Sequence, residues 1–175
     1  MYTISVVVPS WHYWANPFKH QPYWELYYAT ILQERFSEKG VTVDMVDLRG
    51  APGDTLPEVV KGIPQRDLYV YWIMKSGDAR EVYSTARLLK AQYPQSLHVA
   101  GGTHVDMCTE ECQAQFDAVV VGPGESSLVK IVTESWSGQP QPLYQQTYAE
   151  IPFADTPYPR RLHCRRPFPS PRRRR

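Results

Sequence analysis

The sequence LHVAGGTHVDMCTEECQAQFDAVVVGPGE, residues 97–125, contains two short apolar runs, each followed directly by glycine. The runs Leu97–Ala100 and Ala118–Val121 are partly β-branched, which is typical of strands buried on both faces of a sheet. Between them, Thr109–Phe116 predicts a short helix. A strand, a helix and a second strand in this order form a βαβ unit, so we expect the two strands to be parallel.

The same alternation continues on the amino-terminal and carboxyl-terminal sides of this unit. Three further apolar runs predict strands, and the segments between them have helical spacing. The predicted strands are Ile4–Pro9, Val41–Leu48 and Leu68–Met74, and the predicted helices are Tyr23–Lys39, Ala79–Gln92 and Ser126–Trp136, with one helical turn near Leu56–Lys61. Right-handed crossovers then give an α/β fold, a flavodoxin-like (Rossmann-like) doubly wound sheet of five parallel strands in the order 2-1-3-4-5.

The chain of 175 residues is long enough for one domain with two appended segments. Residues 1–138 are predicted to form the α/β domain, residues 139–159 a proline-rich linker, and residues 160–175 an arginine-rich disordered tail. Residues 157–175 carry eight Arg and no acid, whereas residues 1–156 carry 11 Lys and Arg against 18 Asp and Glu. Such a tail could bind a polyanion, but nucleic acid is not the expected partner.

Composition argues against a secreted or membrane protein. Three cysteines, an odd number, do not fit a disulfide framework and favour a reducing compartment. The segment Met1–Pro9 has no basic region and too short an apolar run for a signal peptide, and no stretch of 18 apolar residues occurs. We therefore expect a soluble, cytoplasmic protein with no membrane partner.

His104, Cys108 and Cys112 are spaced four residues apart, which raises the possibility of a metal site. On one continuous helix this spacing would place all three side chains on one face, within reach of one ion. Two thiolates and one imidazole are one ligand short of a closed zinc site, and the alternative is that both cysteines are buried thiols of a short helix. Gln115 stands where a CxxxCxxC motif needs its third thiolate, so no iron–sulfur cluster is expected in this chain.

The ends of four predicted strands carry small residues beside polar ones. These segments are residues 9–15, 74–77, 101–104 and 122–125. In doubly wound sheets, ligands bind outside the carboxyl ends of the strands. Because small residues let a large ligand approach the backbone closely, we expect the binding site at this edge of the sheet.

Several motifs have a fixed place in this pattern. A proline ends strand one, an Asp-Leu pair ends strand two, Gly-Gly-x-His follows strand four, and Asp-x-Val-Val-x-Gly-x-Gly-Glu precedes the last helix; these are Pro9, Asp47-Leu48, Gly101–His104 and Asp117–Glu125. Together they resemble the cobalamin-binding domain at the front of cobalamin-dependent radical S-adenosylmethionine (SAM) enzymes, over about residues 3–137. Pro123 stands where that family usually has glutamate. Residues 151–158 resemble the linker into the family's catalytic barrel.

The resemblance implies cobalamin (vitamin B12), with its cobalt ion, as the cofactor. Lys75–Gly77 and Gly101-Gly102 would line the pocket for the nucleotide tail, while Gly122, Gly124 and Glu125 would close its far side. The complete set of implied cofactor-binding residues is Ser10, Trp11, His12, Lys75, Ser76, Gly77, Gly101, Gly102, Thr103, His104, Gly122, Gly124 and Glu125. Each glycine alone could equally be an ordinary turn residue, and the combination is what favours a ligand.

His12 is a candidate axial ligand of the cobalt. Many cobalamin carriers use a DxHxxG loop, in which the histidine binds cobalt and the aspartate orients it. Here His12 is in register, but Ser10 replaces the aspartate and Ala15 the glycine. A ligating imidazole depends on such a partner for its orientation and basicity. The alternative is a loop histidine packed among aromatic side chains such as Trp11.

The function that the resemblance implies is cobalamin binding without catalysis by this chain alone. The chain would be a fragment or a partner of a radical SAM methyltransferase or cyclase whose catalytic barrel lies elsewhere, since the cofactor performs the chemistry in such enzymes. Two alternatives stay open. One is a flavodoxin-like protein that binds another nucleotide cofactor, and the other is a ligand-free interaction module whose arginine tail binds polyanions.

Overall fold

The computed structural model describes residues 1–11, 16–19 and 21–147. Parallel strands alternate with helices throughout this part of the chain. The strands are β1 (Tyr2–Val8), β2 (Val41–Asp47), β3 (Leu68–Trp72), β4 (Leu97–Gly101), β5 (Ala118–Val121) and β6 (Leu143–Gln145). The helices are α1 (Tyr23–Phe36), α2 (Leu56–Lys61), α3 (Ser76–Gln92), α4 (Thr103–Met107), α5 (Thr109–Gln113) and α6 (Glu125–Ser137), with short 3-10 turns at Pro17–Lys19 and Ser37–Lys39.

The strands form one sheet in the order β2-β1-β3-β4-β5-β6, and every neighbouring pair is parallel. The α/β class, the parallel sheet and the order of the first five strands are confirmed. The predicted number of five strands is wrong, because the sheet has a sixth strand at its edge beyond β5. All carboxyl ends lie along one edge, so the loops that follow the strands meet there.

The sixth strand lies within residues 139–159, the segment that the sequence predicted as a linker. Its register pairs Leu143 with Val119, and the Val119 N–H donates to the carbonyl of Pro142 at 3.0 Å. A proline carbonyl can still accept a hydrogen bond in an edge strand. A strand of three residues beside two prolines is too short to show an alternating pattern, so the sequence did not predict it. The rest of that segment and the predicted tail, from residue 148 onward, lie outside the described residues.

The helices differ from prediction mainly at their ends. Helix α3 begins at Ser76 instead of Ala79, because its polar first turn carries no apolar residue to reveal it. Helix α1 ends at Phe36, and a 3-10 turn continues to Lys39. The single-turn helix α4 was not predicted. Within the residues that the structure describes, no helix has the length and apolarity needed to cross a membrane.

Helices cover both faces of the sheet and create two separate cores. On the first side, called here the α1/α6 face, side chains such as Leu32 and Ile131 pack on Val6, Val70 and Val99. On the second side, called here the α3 face, helices α2 to α5 pack on the alternate residues of the same strands, including Val7, Tyr71 and Ala100. Strand residues alternate between the faces, so each strand is buried on both sides.

Candidate functional site

Trp72, the last residue of β3, lies at the carboxyl edge of the sheet on the α1/α6 face. It is directly opposite Gly101 in the register between β3 and β4. The indole lies across the Gly101 backbone, since a Cβ added to Gly101 would stand only 2.2 Å from the indole Cζ3 atom. Such a distance leaves no room for any side chain, so glycine at this position is required by the tryptophan.

The same indole touches a second glycine and an aromatic ring. A Cβ on Gly124 would lie 2.4 Å from the Trp72 Cη2 atom and 3.1 Å from Tyr28 Cε1. The Tyr28 ring centroid is 3.9 Å from that of Trp72, and the Gly124 N–H donates to the Tyr28 hydroxyl at 3.3 Å. We call the space bounded by Gly101, Gly124 and Tyr28 the ring slot. In the structure, the ring slot holds the Trp72 indole.

Gly102 and Gly122 also have neighbours from within the chain. Both have positive φ angles, 102° and 83°, which favour glycine. A Cβ on Gly102 would lie 2.7 Å from the carbonyl oxygen of Ile73, and one on Gly122 would lie 2.1 Å from that of Gln146. The sequence interpretation gave these glycines a ligand as their neighbour; the structure places backbone carbonyls against them.

Glu125 begins helix α6 beside the ring slot and carries an unpaired oxygen. The Tyr27 hydroxyl donates to its Oε1 atom at 2.9 Å. Its Oε2 atom is buried and has no hydrogen-bond partner within the described part of the chain. A buried acceptor without a donor is costly, so this carboxylate is suited to accept a hydrogen bond from a ligand amide or hydroxyl.

His104 lies on the other face of the sheet and is held by its own neighbours. It is 6% exposed, its Nδ1 is 3.0 Å from the Ser76 hydroxyl, and its Nε2 is 2.8 Å from the Tyr83 hydroxyl. The Tyr83 hydroxyl is also 3.3 Å from the sulfur of Cys112. Burial, the Cys112 hydrogen bond and the nearby carboxylate of Glu111 raise the pKa of Tyr83, which keeps its hydroxyl protonated.

The structure does not support the possibility, raised by their spacing, that His104, Cys108 and Cys112 form a metal site. Across residues 1–11, 16–19 and 21–147, no group of three His, Cys, Asp or Glu side chains could hold a metal ion. The physical reason is a break in the helix: α4 ends at Met107 and α5 begins at Thr109, with Cys108 in a non-helical conformation between them. The four-residue spacing therefore does not run along one helical face.

The described start of the first loop, Ser10 and Trp11, contacts residues that follow β2 and residues of α3, and Trp11 also packs against the core of the α1/α6 face. The Ser10 N–H donates to Glu81 Oε1 at 2.6 Å. The Arg49 guanidinium lies 5.3 Å from the centroid of the Trp11 ring and forms a two-pronged pair with Asp47, at 2.8 and 2.7 Å. This arrangement is typical of a cation held over an aromatic face. His12, the candidate cobalt ligand, lies outside the described residues, and its role stays a prediction from the sequence.

Two open clefts flank the loops at this edge. The larger, about 870 Å³, has Ser10 and Gly77 in its lining, with Arg80 and Thr55. The smaller, about 530 Å³, has Ser76 and His104 in its lining. Lys75 and Thr103 are exposed nearby, and Thr103 contacts the sulfur of Met74 at 3.9 Å. Those predicted site residues that the structure describes therefore share one edge of the sheet but divide among the ring slot, two clefts, the start of the first loop and the turn beside β6.

One residue of this region that the sequence interpretation missed is Glu25, in the first turn of α1. It is 4% exposed, and burial raises its pKa to about 7. The neighbouring carboxylates of Asp78 and Asp47 contribute to this rise in pKa, and a backbone hydrogen bond and the charge of Arg49 oppose it. Trp72 and Tyr28 were missed as well. A strand that ends in tryptophan beside one that ends in Gly-Gly is a signal that could have located the ring slot.

Comparison with known proteins supports the fold alone. No protein-family profile matches the chain, and no curated protein matches it at a significant level. The chain is similar to the radical S-adenosylmethionine methyltransferase TsrM from Kitasatospora setae, solved with tryptophan substrate and the SAM analogue aza-SAM, at 18% identity and a TM-score of 0.54. A second structure of TsrM, with cobalamin and a 4Fe–4S cluster bound, gives 16% identity and a TM-score of 0.55. The similarity covers 78% of this chain but only 26% and 25% of the two TsrM chains.

Proposed function

We propose that this chain is a cobalamin-binding domain of the type that serves cobalamin-dependent radical SAM enzymes. The observation that carries the proposal is the ring slot: Gly101 at the end of β4, Gly124 just before α6 and a tyrosine bound a space for one flat ring at the carboxyl edge of the sheet, which the Trp72 indole occupies in the structure. Cobalamin joins a flat corrin to a nucleotide with a bicyclic base. The fold shared with TsrM, which was solved with cobalamin bound, supports the same conclusion.

The residues at the edge fit parts of such a ligand. The ring slot has the shape for a bicyclic base, and the unpaired Oε2 of Glu125 could accept a hydrogen bond from one of the amide groups around a corrin. Gly77 leaves open space beside it, because an added Cβ would meet no atom within 4 Å. When bound, cobalamin would supply a cobalt centre able to carry a methyl group, and the chain would hold and orient it.

Catalysis would then need a partner. The chain spans about a quarter of the TsrM chains that it resembles, so a radical SAM catalytic domain or separate chain is part of the proposal. This division of labour assigns no catalytic residue to the present chain. His12 as cobalt ligand belongs to the proposal too, and changing it to alanine would alter the corrin spectrum of the bound form only if the imidazole binds cobalt.

The test is retention of the cofactor. The whole chain is incubated with hydroxocobalamin and desalted, and we expect a corrin absorbance band that travels with the protein. Glu125→Gln should weaken binding about tenfold because it replaces the unpaired acceptor by a donor, while Glu110→Gln, an exposed change on α5, should leave binding unchanged. A colourless protein after desalting would overturn the proposal.

A second candidate is a binder of another nucleotide cofactor, such as a flavin. The cleft of about 870 Å³ beside Ser10, Thr55 and Arg80 favours it, because that volume is within the range of small-molecule sites. The same desalting experiment with flavin mononucleotide separates the two candidates. Retention of the flavin with no retention of the corrin would favour the second.

A further inference from the structure

Trp72 fills the ring slot with a side chain of the protein itself. It is 5% exposed, and the added-Cβ distances of 2.2 Å at Gly101 and 2.4 Å at Gly124 show that its indole lies against two glycines, one at the end of β4 and one just before α6. Tyr28 covers the ring from α1, with its centroid 3.9 Å away. Three separate elements are thus shaped around one flat bicyclic ring.

The indole can leave this position without breaking the sheet. The backbone that follows it is fixed, because the Ile73 N–H donates to the Gly101 carbonyl at 2.7 Å and the Ile73 carbonyl accepts from His104 N–H at 3.0 Å. The indole N–H makes no hydrogen bond to any other described residue. Packing alone therefore holds the side chain, and rotation about its side-chain torsions would open the ring slot while β3 stays paired with β4.

We propose that Trp72 is a specificity-determining residue, an internal occupant of the ring slot that the nucleotide base of a corrinoid must displace. This inference rests on the proposed function. Cobalamin ends in dimethylbenzimidazole, a flat bicyclic base close in size to indole, so the two rings compete for one space. Cobinamide is the same corrin without the nucleotide and has no ring to place there. Trp72 thus disfavours complete cobalamin relative to cobinamide.

The expected change in cobalamin affinity depends on the fraction of molecules in which the ring slot is open. A ligand that needs a minor conformation binds more weakly by the fraction of molecules in that conformation. We expect removal of the indole to strengthen cobalamin binding at least tenfold, which corresponds to a slot that is open in no more than about one molecule in ten. Cobinamide binding should change by less than twofold, because its contacts lie outside the slot.

The experiment measures the dissociation constants of cobalamin and cobinamide for the whole chain and for Trp72→Ala. Trp136→Ala removes a half-exposed tryptophan on α6, away from the slot, and is the matched control, for which both constants should be unchanged. Trp72→Phe keeps an apolar ring that fills less of the slot. It should shift the cobalamin constant in the same direction by a smaller factor, and it keeps the test available if the alanine variant does not fold.

Each outcome decides between the two proposals. Equal changes for both corrinoids, or none for either while both bind, would overturn the role of Trp72 and leave the proposed function standing. Binding of neither corrinoid by any variant would overturn both.

A further experiment tests the ring slot without a corrin. Free benzimidazole should raise the melting temperature of Trp72→Ala and leave that of the wild-type chain unchanged. Equal shifts in both would contradict a vacated ring slot.

Discussion

Large polar and aromatic side chains are buried in different ways on the two faces of the sheet. On the α1/α6 face, Trp72 lies over two glycines and is held by packing. On the α3 face, His98 is fully buried, stacks on Tyr71 with 5.9 Å between centroids, and places its Nδ1 atom 3.0 Å from the Tyr71 hydroxyl. The Trp72 ring is thus held by packing, whereas the His98 ring is held by packing and by one polar contact through Nδ1, while its Nε2 atom is buried without a hydrogen-bond partner among the described residues. The proposed ring slot lies on the face where the buried ring is held by packing alone.

The comparison extends to charge. Glu25, on α1, has its pKa raised to about 7, and His98 has its pKa lowered to about 4. In both cases the first cause is burial, which penalises the charged form of each group. An acid and a base respond with opposite pKa shifts, so the two groups make opposite contributions to the pH dependence of stability.

The largest expected effect is on the packed face. Trp72→Ala should lower the free energy of unfolding by about 3–5 kcal/mol, because it removes a large buried side chain and leaves a cavity against Gly101 and Gly124. Denaturant unfolding of the variant and of Trp136→Ala measures the difference. A loss below about 1 kcal/mol would mean that the indole contributes little packing and would contradict the description of a filled slot.

The next prediction concerns the pH dependence of the free energy of unfolding, which Glu25→Gln should change. A folded pKa of about 7 against 4.5 means that Glu25 contributes stability below pH 4.5, which is lost as the pH rises through 7. The loss amounts to about 3 kcal/mol. The variant lacks this loss, so its free energy of unfolding minus that of the wild type should increase by that amount between pH 4.5 and 7. A constant difference across this window would contradict the raised pKa.

The α3 face gives the opposite slope. A folded pKa of about 4 against 6.5 means that His98 contributes stability above pH 6.5, which is lost as the pH falls through 4. His98→Phe removes this dependence, so relative to the wild type it should become more stable by about 3 kcal/mol on going from pH 6.5 to 4. Unfolding curves at both pH values test it. Because the two slopes oppose each other between pH 4.5 and 6.5, their contributions to wild-type stability should nearly cancel there.

A smaller effect tests the fit between neighbouring strands. Gly101→Ala places a methyl group 2.2 Å from the Trp72 ring and should cost about 1–3 kcal/mol. In a chain that already carries Trp72→Ala, the same change should cost much less, because the clashing ring is gone. Equal costs in the two backgrounds, measured by denaturant unfolding, would show that the glycine and the tryptophan are not coupled.

The sequence predicts the strands well because each is a continuous buried run of the kind that parallel sheets require. Its predictions fail where the signal is short: β6 has three residues and α4 one turn. The sequence singled out Gly101, Gly102, Gly122 and Gly124, but it could not predict the atoms that lie against them. Which side chain lies over Gly101 depends on the register between β3 and β4, and which carbonyl meets Gly122 depends on the unpredicted β6 segment. The composition of one segment does not show which residues of a neighbouring strand it will pair with.

The smallest predicted effect tests whether the two faces of the sheet have different functions. Tyr83→Phe removes the hydroxyl that lies 2.8 Å from His104 and 3.3 Å from Cys112, and it should lower the free energy of unfolding by about 1 kcal/mol. Corrinoid binding should stay within twofold of wild type, because the ring slot is on the opposite face. Loss of cobalamin binding with stability retained would instead place the ligand at the cleft beside Ser76 and His104, on the α3 face.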